Sequence, residues 1–441
     1  MRIALIAMSG VRVCNPDLMR LGLTLPGFLE RSKVIASLPS LSLLTLAGMT
    51  PERFDVEYHE IADVREAATL PECDLAAIST FTAQAKDAYA LAGRYRELGV
   101  PTVMGGLHAT VLPDEVLQHC DAVVVGEGEL NWLAVLEDFE RRRLQRRYEP
   151  KGRQFDLADS PMPRFDLATP TKYNRFTVQT QRGCPRRCEF CASSILVSAR
   201  YKLKPVSRII DEIRAIKRVW PHPFIEFADD NSFVNRRHAR ALMDSLAAED
   251  VRWFAETDIS IADDRDLLVR MREAGCAQLL IGLESPTAGG VEGIEMNANW
   301  KRKRHDDYKA AIERIQSAGI AVIGCFILGL DGDTVDVFDA VSRFVEDSGL
   351  YQVQITVLTP FPGTPLYARL LSEGRLLDRD SWERNTLFDV TFEPRHMSVE
   401  QLEHGLLDLA DRLYSDEASQ GRRNAFRRQA KRSIQSTPVR S

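Results

Sequence analysis

The sequence predicts an α/β protein in two main parts: a doubly wound parallel sheet, then a partial barrel of βα units with a helical C-terminal extension. Three observations predict it. Short β-branched runs alternate with amphipathic stretches from the first residues on. The repeat lengthens after Phe176, and 441 residues exceed one ordinary domain.

In the first part, residues 1–140, the candidate strands are Arg2–Ala7, Asp55–His59, Leu75–Ser79, Thr102–Met104 and Ala122–Val125. Helical patterns lie between them, clearest at Ala85–Leu98 and Asn131–Arg142. Such alternation implies crossover connections and helices on both faces, a flavodoxin- or Rossmann-like sheet. A ligand of such a sheet lies beyond the carboxyl ends of its strands. Four turns fall there: Met8-Ser9-Gly10, Ser79-Thr80-Phe81-Thr82, Gly105-Gly106-Leu107-His108 and Gly126-Glu127-Gly128-Glu129. Each joins small or hydroxyl residues to a strand end, which suits a polar ligand against backbone; one Gly-Gly alone would be only a tight turn. Residues 141–172 read as a linker, because a basic run leads into Pro150, Pro161 and Pro163 with no sustained period.

The second part, residues 173–370, has candidate strands Phe176–Thr180, Phe224–Ala228, Arg252–Thr257, Gln278–Gly282, Ala321–Ile327 and Tyr351–Leu358. The helix after the first carries Ile209, Ile213, Ile216 and Trp220 at the spacing of one buried face. Further helices are expected at Arg236–Ala248, Asp263–Ala274, Asp306–Ala318 and Val335–Asp347. Six such units make a partial (β/α)6 barrel of the TIM type, with its active site at the C-terminal strand ends. Residues 371–420 read as a mostly helical extension and 421–441 as a basic tail with seven Arg or Lys and no acid. A solvated tail is the plainer reading; peripheral contact with anionic lipid head groups is the other.

Composition narrows the class. With 44% hydrophobic and 27% charged residues the chain is globular, and a net charge of -6 excludes a nucleic-acid-binding polycation. The N-terminal apolar run ends at Met8 without a cleavage site, and Ala321–Leu330 is half the roughly 20 residues that span a bilayer. Eight cysteines are too few for a disulfide scaffold. The expectation is a reduced, cytoplasmic protein, in which clustered cysteines serve metal or catalysis.

Three cysteines do cluster, in Gln181-Arg-Gly-Cys184-Pro-Arg-Arg-Cys188-Glu-Phe-Cys191, just after the first barrel strand. Three thiolates on one loop can hold three irons of a four-iron cluster and leave the fourth iron open for chemistry. A zinc site needs a fourth ligand, which only folding could bring, from His222 or Cys276.

This Cys-x3-Cys-x2-Cys loop, with Phe190 before its third cysteine, resembles that of the radical S-adenosylmethionine (SAM) enzymes. The resemblance implies a [4Fe-4S] cluster on Cys184, Cys188 and Cys191 whose open iron chelates SAM. One electron, from a donor such as flavodoxin or ferredoxin, then cleaves SAM to methionine and a 5'-deoxyadenosyl radical. Other segments resemble the same family and imply SAM contacts. Asp229 and Asp230 follow the second barrel strand, where carboxylates could receive the cofactor's ammonium; helix capping by Asp230 or Asn231 is the alternative. Gly282 and Glu284 close the fourth strand, with Glu284 for ribose hydroxyls or ammonium against a structural ion pair. Glu256 ends the third, and Gly329 lies where backbone approaches adenine. Thr359-Pro-Phe-Pro-Gly363-Thr resembles the family's Pro-Phe-Pro-Gly-Thr segment.

The first part resembles the cobalamin-binding domain of the subfamily that includes many radical methylases (class B). That implies a corrinoid contacted by Ser9, Gly10, Ser79, Thr80, Thr82, Gly105, Gly106, His108, Gly126 and Glu127. No histidine occupies Met8-Ser-Gly-Val-Arg-Val-Cys14, so a bound cobalamin should lack a lower histidine ligand. The implied reaction is methylation of an unactivated carbon of a small molecule or lipid. A non-methylating radical cyclase, mutase or oxidoreductase shares the architecture, and a zinc-bearing ligand-binding protein is a third reading.

Overall fold

The structure, a computed structural model, describes residues 1–10, 13–20, 38–192 and 200–436. Val11 and Arg12 of the loop after the first strand, and the end of the basic tail, lie outside the described residues.

The first sheet consists of β1 (Arg2–Met8), β2 (Asp55–Ile61), β3 (Leu75–Ser79), β4 (Thr102–Gly105), β5 (Ala122–Val124) and β6 (Arg147–Tyr148). They run parallel in the order 2-1-3-4-5-6. β1 is apolar from Ile3 to Met8 because both its faces are covered there. Ala4, Ile6 and Met8 pack toward Leu91 and Tyr95 of the helix Ala85–Glu97. Ile3, Leu5 and Ala7 pack oppositely, with Leu43 and Trp132 of the helices Leu41–Met49 and Trp132–Glu140. The winding reverses between β1 and β3, which opens a crevice at their carboxyl ends.

A second parallel sheet holds β7 (Phe176–Val178), β10 (Phe224–Phe227), β11 (Arg252–Thr257), β12 (Cys276–Glu284), β13 (Ala321–Leu328) and β14 (Gln352–Val357), neighbours in chain order. A short antiparallel pair, β8 (Gln181–Arg182) and β9 (Lys202–Leu203), flanks the cysteine loop. Ile209, Ile213 and Ile216 are buried on the helix Val206–Val219, as their spacing requires; Trp220 stands just past its end and meets the Phe176 ring edge-on. Among the described residues no helix is long and apolar enough to cross a membrane.

Three expectations are corrected. The linker begins with a strand: β6 extends the first sheet beyond residue 140. The extension is helical only at its end: after the helix Pro365–Ser372, the chain to Ser398 makes turns and one bridge, Leu376 with Phe392. Its helix Val399–Tyr414 starts at a capping box of Ser398 and Gln401. The basic tail is a helix, Asp416–Ser436, laid against Tyr308–Ser317. Arg422 donates to the Leu413 carbonyl, Phe426 meets the Tyr351 ring edge-on, and the Gln429 amide reaches Glu313 and Gln316.

Candidate active site at the facing strand ends

The root of the cysteine loop is tied to the turn after β10. Asp229 accepts from the backbone N–H groups of Thr180 (2.8 Å) and Gln181 (3.0 Å) and from the hydroxyls of Thr180 (2.5 Å) and Ser232 (2.9 Å). Burial raises its pKa to about 6, against the pull of those donors. Four donors fill a carboxylate's acceptor positions, so Asp229 holds the loop instead of meeting a cofactor ammonium. Asp230 accepts from the N–H of Gly183 (3.0 Å), whose φ of 86° suits glycine. Neither Asp230 nor Asn231 caps the next helix: Asn235 does. The Asn231 amide instead donates to Cys184 Sγ (3.6 Å) and to Asp258 (3.0 Å).

The far side of the loop is laced to residues 294–300. The Glu189 N–H bonds to the Ile294 carbonyl (3.0 Å), and that of Met296 to the Arg187 carbonyl (2.8 Å). Glu295 accepts backbone N–H groups of Arg187, Asn297, Ala298 and Trp300. Arg186 lies 3.8 Å over the Trp300 ring. The Glu189 carboxylate pairs with Arg369 (2.8 Å), and its carbonyl accepts from the Leu366 N–H beyond the Pro-Phe-Pro-Gly-Thr segment. Phe190 packs against the barrel core.

This loop fits a cluster. Cys188 is buried and Cys184 and Cys191 half-buried. Burial pushes the Cys188 thiol up to about 12, with Lys301 opposing and the other two cysteines adding, so the sulfurs share one electrostatic environment. Donors already face Cys184 Sγ, from Arg186 N–H (3.4 Å) and Asn231, as cluster sulfurs prefer. Zinc loses its fourth ligand: Cys276 opens β12 and His222 precedes β10, both at the opposite end of the sheet. Among the described residues no three His, Cys, Asp or Glu side chains converge on a single metal ion.

Glu284 is an ion-pair residue. Its carboxylate lies 2.8 Å from the Lys301 ammonium, both side chains under 10% exposed, and Lys301 also donates to the Gly282 carbonyl (2.5 Å). Gly282 makes room for the pair, since a Cβ there would stand 2.6 Å from the Glu284 carboxylate. Spacing gives no sign of this role for Lys301, which stands in the basic run Trp300-Lys-Arg-Lys-Arg304. Gly329 faces Leu402 and Phe392 of the C-terminal extension, so that side is closed to adenine. Glu256 differs: no described residue donates to its half-buried carboxylate. Burial and the nearby Glu226 and Asp230 raise its pKa to about 8, with Arg175 opposing. Glu226 itself pairs with Arg175.

At the carboxyl end of the first sheet, Gly106 lets two loops close-pack: a Cβ there would stand 2.7 Å from the Thr80 carbonyl, and Thr80 N–H donates to the Gly105 carbonyl (3.2 Å). The Ser9 N–H bonds to Ile61, and Gly10, at φ 104°, turns the chain. Ser79 and Thr82 lie in the same rim. The Gly126 N–H bonds to Thr110 (3.0 Å). Two expected corrinoid contacts have other partners. His108 is fully buried, its Nε2 2.8 Å from the Tyr89 hydroxyl, and burial lowers its pKa. Glu127 accepts from Arg182 (2.7 Å), Lys202 (2.7 Å) and the Phe155 N–H (3.0 Å), and Arg182 also pairs with Glu129 (2.7 Å). Burial works against the Glu127 charge, but Lys202, Phe155 and Arg182 outweigh it and hold its pKa low. Arg182 stands two residues before Cys184, so the carboxyl edges of the two sheets meet. The rim fits a polar ligand: Gln84 is 5% exposed with both amide atoms unpartnered, as is the buried Nδ1 of His108.

Known proteins share this arrangement. Residues 178–345 match the Radical SAM superfamily, 32–136 the B12 binding domain, and 364–440 a domain of unknown function (DUF4070). The chain is 27% identical over 388 residues to bacteriochlorophyllide d C-12(1)-methyltransferase of Chlorobaculum tepidum, covering 86% of this chain and 83% of that one. It is 28% identical over 368 residues to hopanoid C-2 methylase of Rhodopseudomonas palustris, covering 80% and 68%. The solved structure of TsrM from Kitasatospora setae, a radical S-adenosylmethionine methyltransferase with cobalamin and a [4Fe-4S] cluster bound, superposes with a TM-score of 0.66 at 14% identity, over 98% and 99% of the two chains. The chain therefore carries a radical SAM domain behind an N-terminal B12-binding domain, and is an enzyme whose cofactors are a [4Fe-4S] cluster, S-adenosylmethionine and cobalamin.

Proposed function

We propose that the chain is a cobalamin-dependent methyltransferase acting on an unactivated carbon of a small molecule or lipid. The observation that carries this is the joining of the two sheets' carboxyl edges by Arg182, Glu127 and Glu129 beside the cysteine loop. Two cofactor sites are thereby held over one space, and the relatives named above are methyltransferases of pigments and lipids.

Cys184, Cys188 and Cys191 would ligate the cluster, and Ser79, Thr80, Thr82, Gly105 and Gly106 would line the corrinoid's edge. When bound, the cluster and SAM supply a 5'-deoxyadenosyl radical for hydrogen abstraction, and cobalamin supplies the methyl group. Glu256, to whose carboxylate no described residue donates, would receive the SAM ammonium or ribose, with Asp230 adding its charge nearby. Asp229 keeps the cysteine loop in register, and Lys301 keeps Glu284 neutralised. The single electron would come from a flavodoxin or ferredoxin.

The test is anaerobic incubation of the reconstituted chain with methyl-labelled SAM, hydroxocobalamin, a low-potential reductant and host lipid and pigment extracts, read by mass spectrometry. The expected result is label on a new metabolite together with 5'-deoxyadenosine. Deoxyadenosine with an unlabelled, ring-closed or rearranged product would overturn methyl transfer.

A further inference from the structure

Residues 381–389, in the region matched only by a domain of unknown function, reach across from the barrel to the first sheet. The Trp382 indole donates to Glu115 (2.9 Å), and its ring lies edge-on to His108. Glu383 pairs with Lys86 (2.8 Å). Asp389 accepts the backbone N–H groups of Cys14 (2.9 Å) and Asn15 (2.8 Å). The Leu387 carbonyl accepts from Val357 at the end of β14 (2.7 Å). One nine-residue segment thus touches the loops after β1, β3 and β4 and the last barrel strand. Directly under it, the turn Thr82–Gln84 packs on the turn Trp382–Arg384. There Gln84 keeps a donor and an acceptor buried without partners.

We propose that residues 381–389 form a strap that completes the corrinoid site, with the Gln84 amide receiving the polar rim of the ligand. A corrinoid ring is fringed by amide side chains, each carrying a donor and an acceptor, and this matches what Gln84 leaves open. Asp389 fixes the β1 loop through its backbone, which suits a site with no histidine on that loop. The assignment rests on the cobalamin reading above and gives the C-terminal region a role in cofactor retention.

The test uses the full chain with its cluster reconstituted, titrated with hydroxocobalamin and read by absorbance of the protein-bound fraction after desalting. Gln84→Leu removes two unpaired polar atoms, so its thermal midpoint should equal or exceed the parent's while corrinoid affinity falls about tenfold, one lost hydrogen-bonded contact. Trp382→Phe keeps an aromatic ring but removes the indole's bond to Glu115, which Tyr89 still holds, and should weaken retention in the same direction with iron content unchanged. Parent-like affinity in both folded variants would overturn the strap's role while leaving the cobalamin reading intact. If the unaltered chain retains no corrinoid, that reading fails and the strap with it.

Discussion

Lys301 neutralises Glu284, donates to the Gly282 carbonyl and biases the field at Cys188. Lys301→Met would leave Glu284 charged and unpaired in the interior, which costs about 3–5 kcal/mol. Urea unfolding should show that loss, and the added Glu284→Gln change should recover much of it. Glu256 gives the opposite sign. Its folded-state pKa near 8 exceeds the usual carboxylate value of about 4.3, so the fold retains a proton that the unfolded chain releases. Stability from this group is therefore full below about pH 4.3 and is lost as pH rises toward 8. Glu256→Gln should raise the urea midpoint at pH 8, with the gap closing toward pH 4.5; a constant gap at all pH values would refute the raised pKa. At this scale the sequence showed residue types but not pairings. Asp229, Glu284, Glu127 and His108 are each held by a partner 17 to 55 residues away: Thr180, Lys301, Arg182 and Tyr89. Spacing within a motif carries no information about such pairs. Gly282 did offer a hint: a glycine two residues before an acid on a buried strand makes room for something.

At the scale of elements, periodicity was a good guide wherever one face is buried. β3 and β11 fall within the expected bounds because their apolar runs end at polar turns. The last 70 residues misled because their turns, such as Gly374 at φ 70°, carry little pattern. The final helix was legible in principle, since Arg422, Phe426 and Gln429 recur at helical spacing, but its many arginines hid that face. Phe426→Ala should cost about 1–2 kcal/mol, the transfer value of a half-buried aromatic. Limited proteolysis within 416–436 should accelerate accordingly. If cleavage rates match the parent, the helix does not depend on this contact.

For the molecule as a whole, the order of the two parts was readable and their facing was not. Domain sequence follows from the change in repeat length, whereas the contact beside the cysteine loop rests on a few charges, Arg182, Lys202, Glu127 and Glu129, spread over 76 residues. All are largely buried, so screening by salt should affect them little. Arg182→Ala should cost about 2–3 kcal/mol, that of a charged hydrogen-bond partner removed while Lys202 remains. Hydrogen exchange should then rise together at residues 126–130 and 181–184. A rise at only one of the two would show that the parts are not coupled through this pair.

The bonds from Cys14 and Asn15 to Asp389 span some 375 residues of chain, which gives the molecule a chronology. During synthesis the first sheet is complete by about residue 148, while its covering segment is still unmade. At roughly 5–20 residues per second, about 12–48 s pass before residue 389 is added. Throughout that interval the carboxyl edge of the newborn sheet is unroofed. Cofactor supply during translation, and not only afterwards, thereby becomes a variable in how much finished enzyme carries its corrinoid.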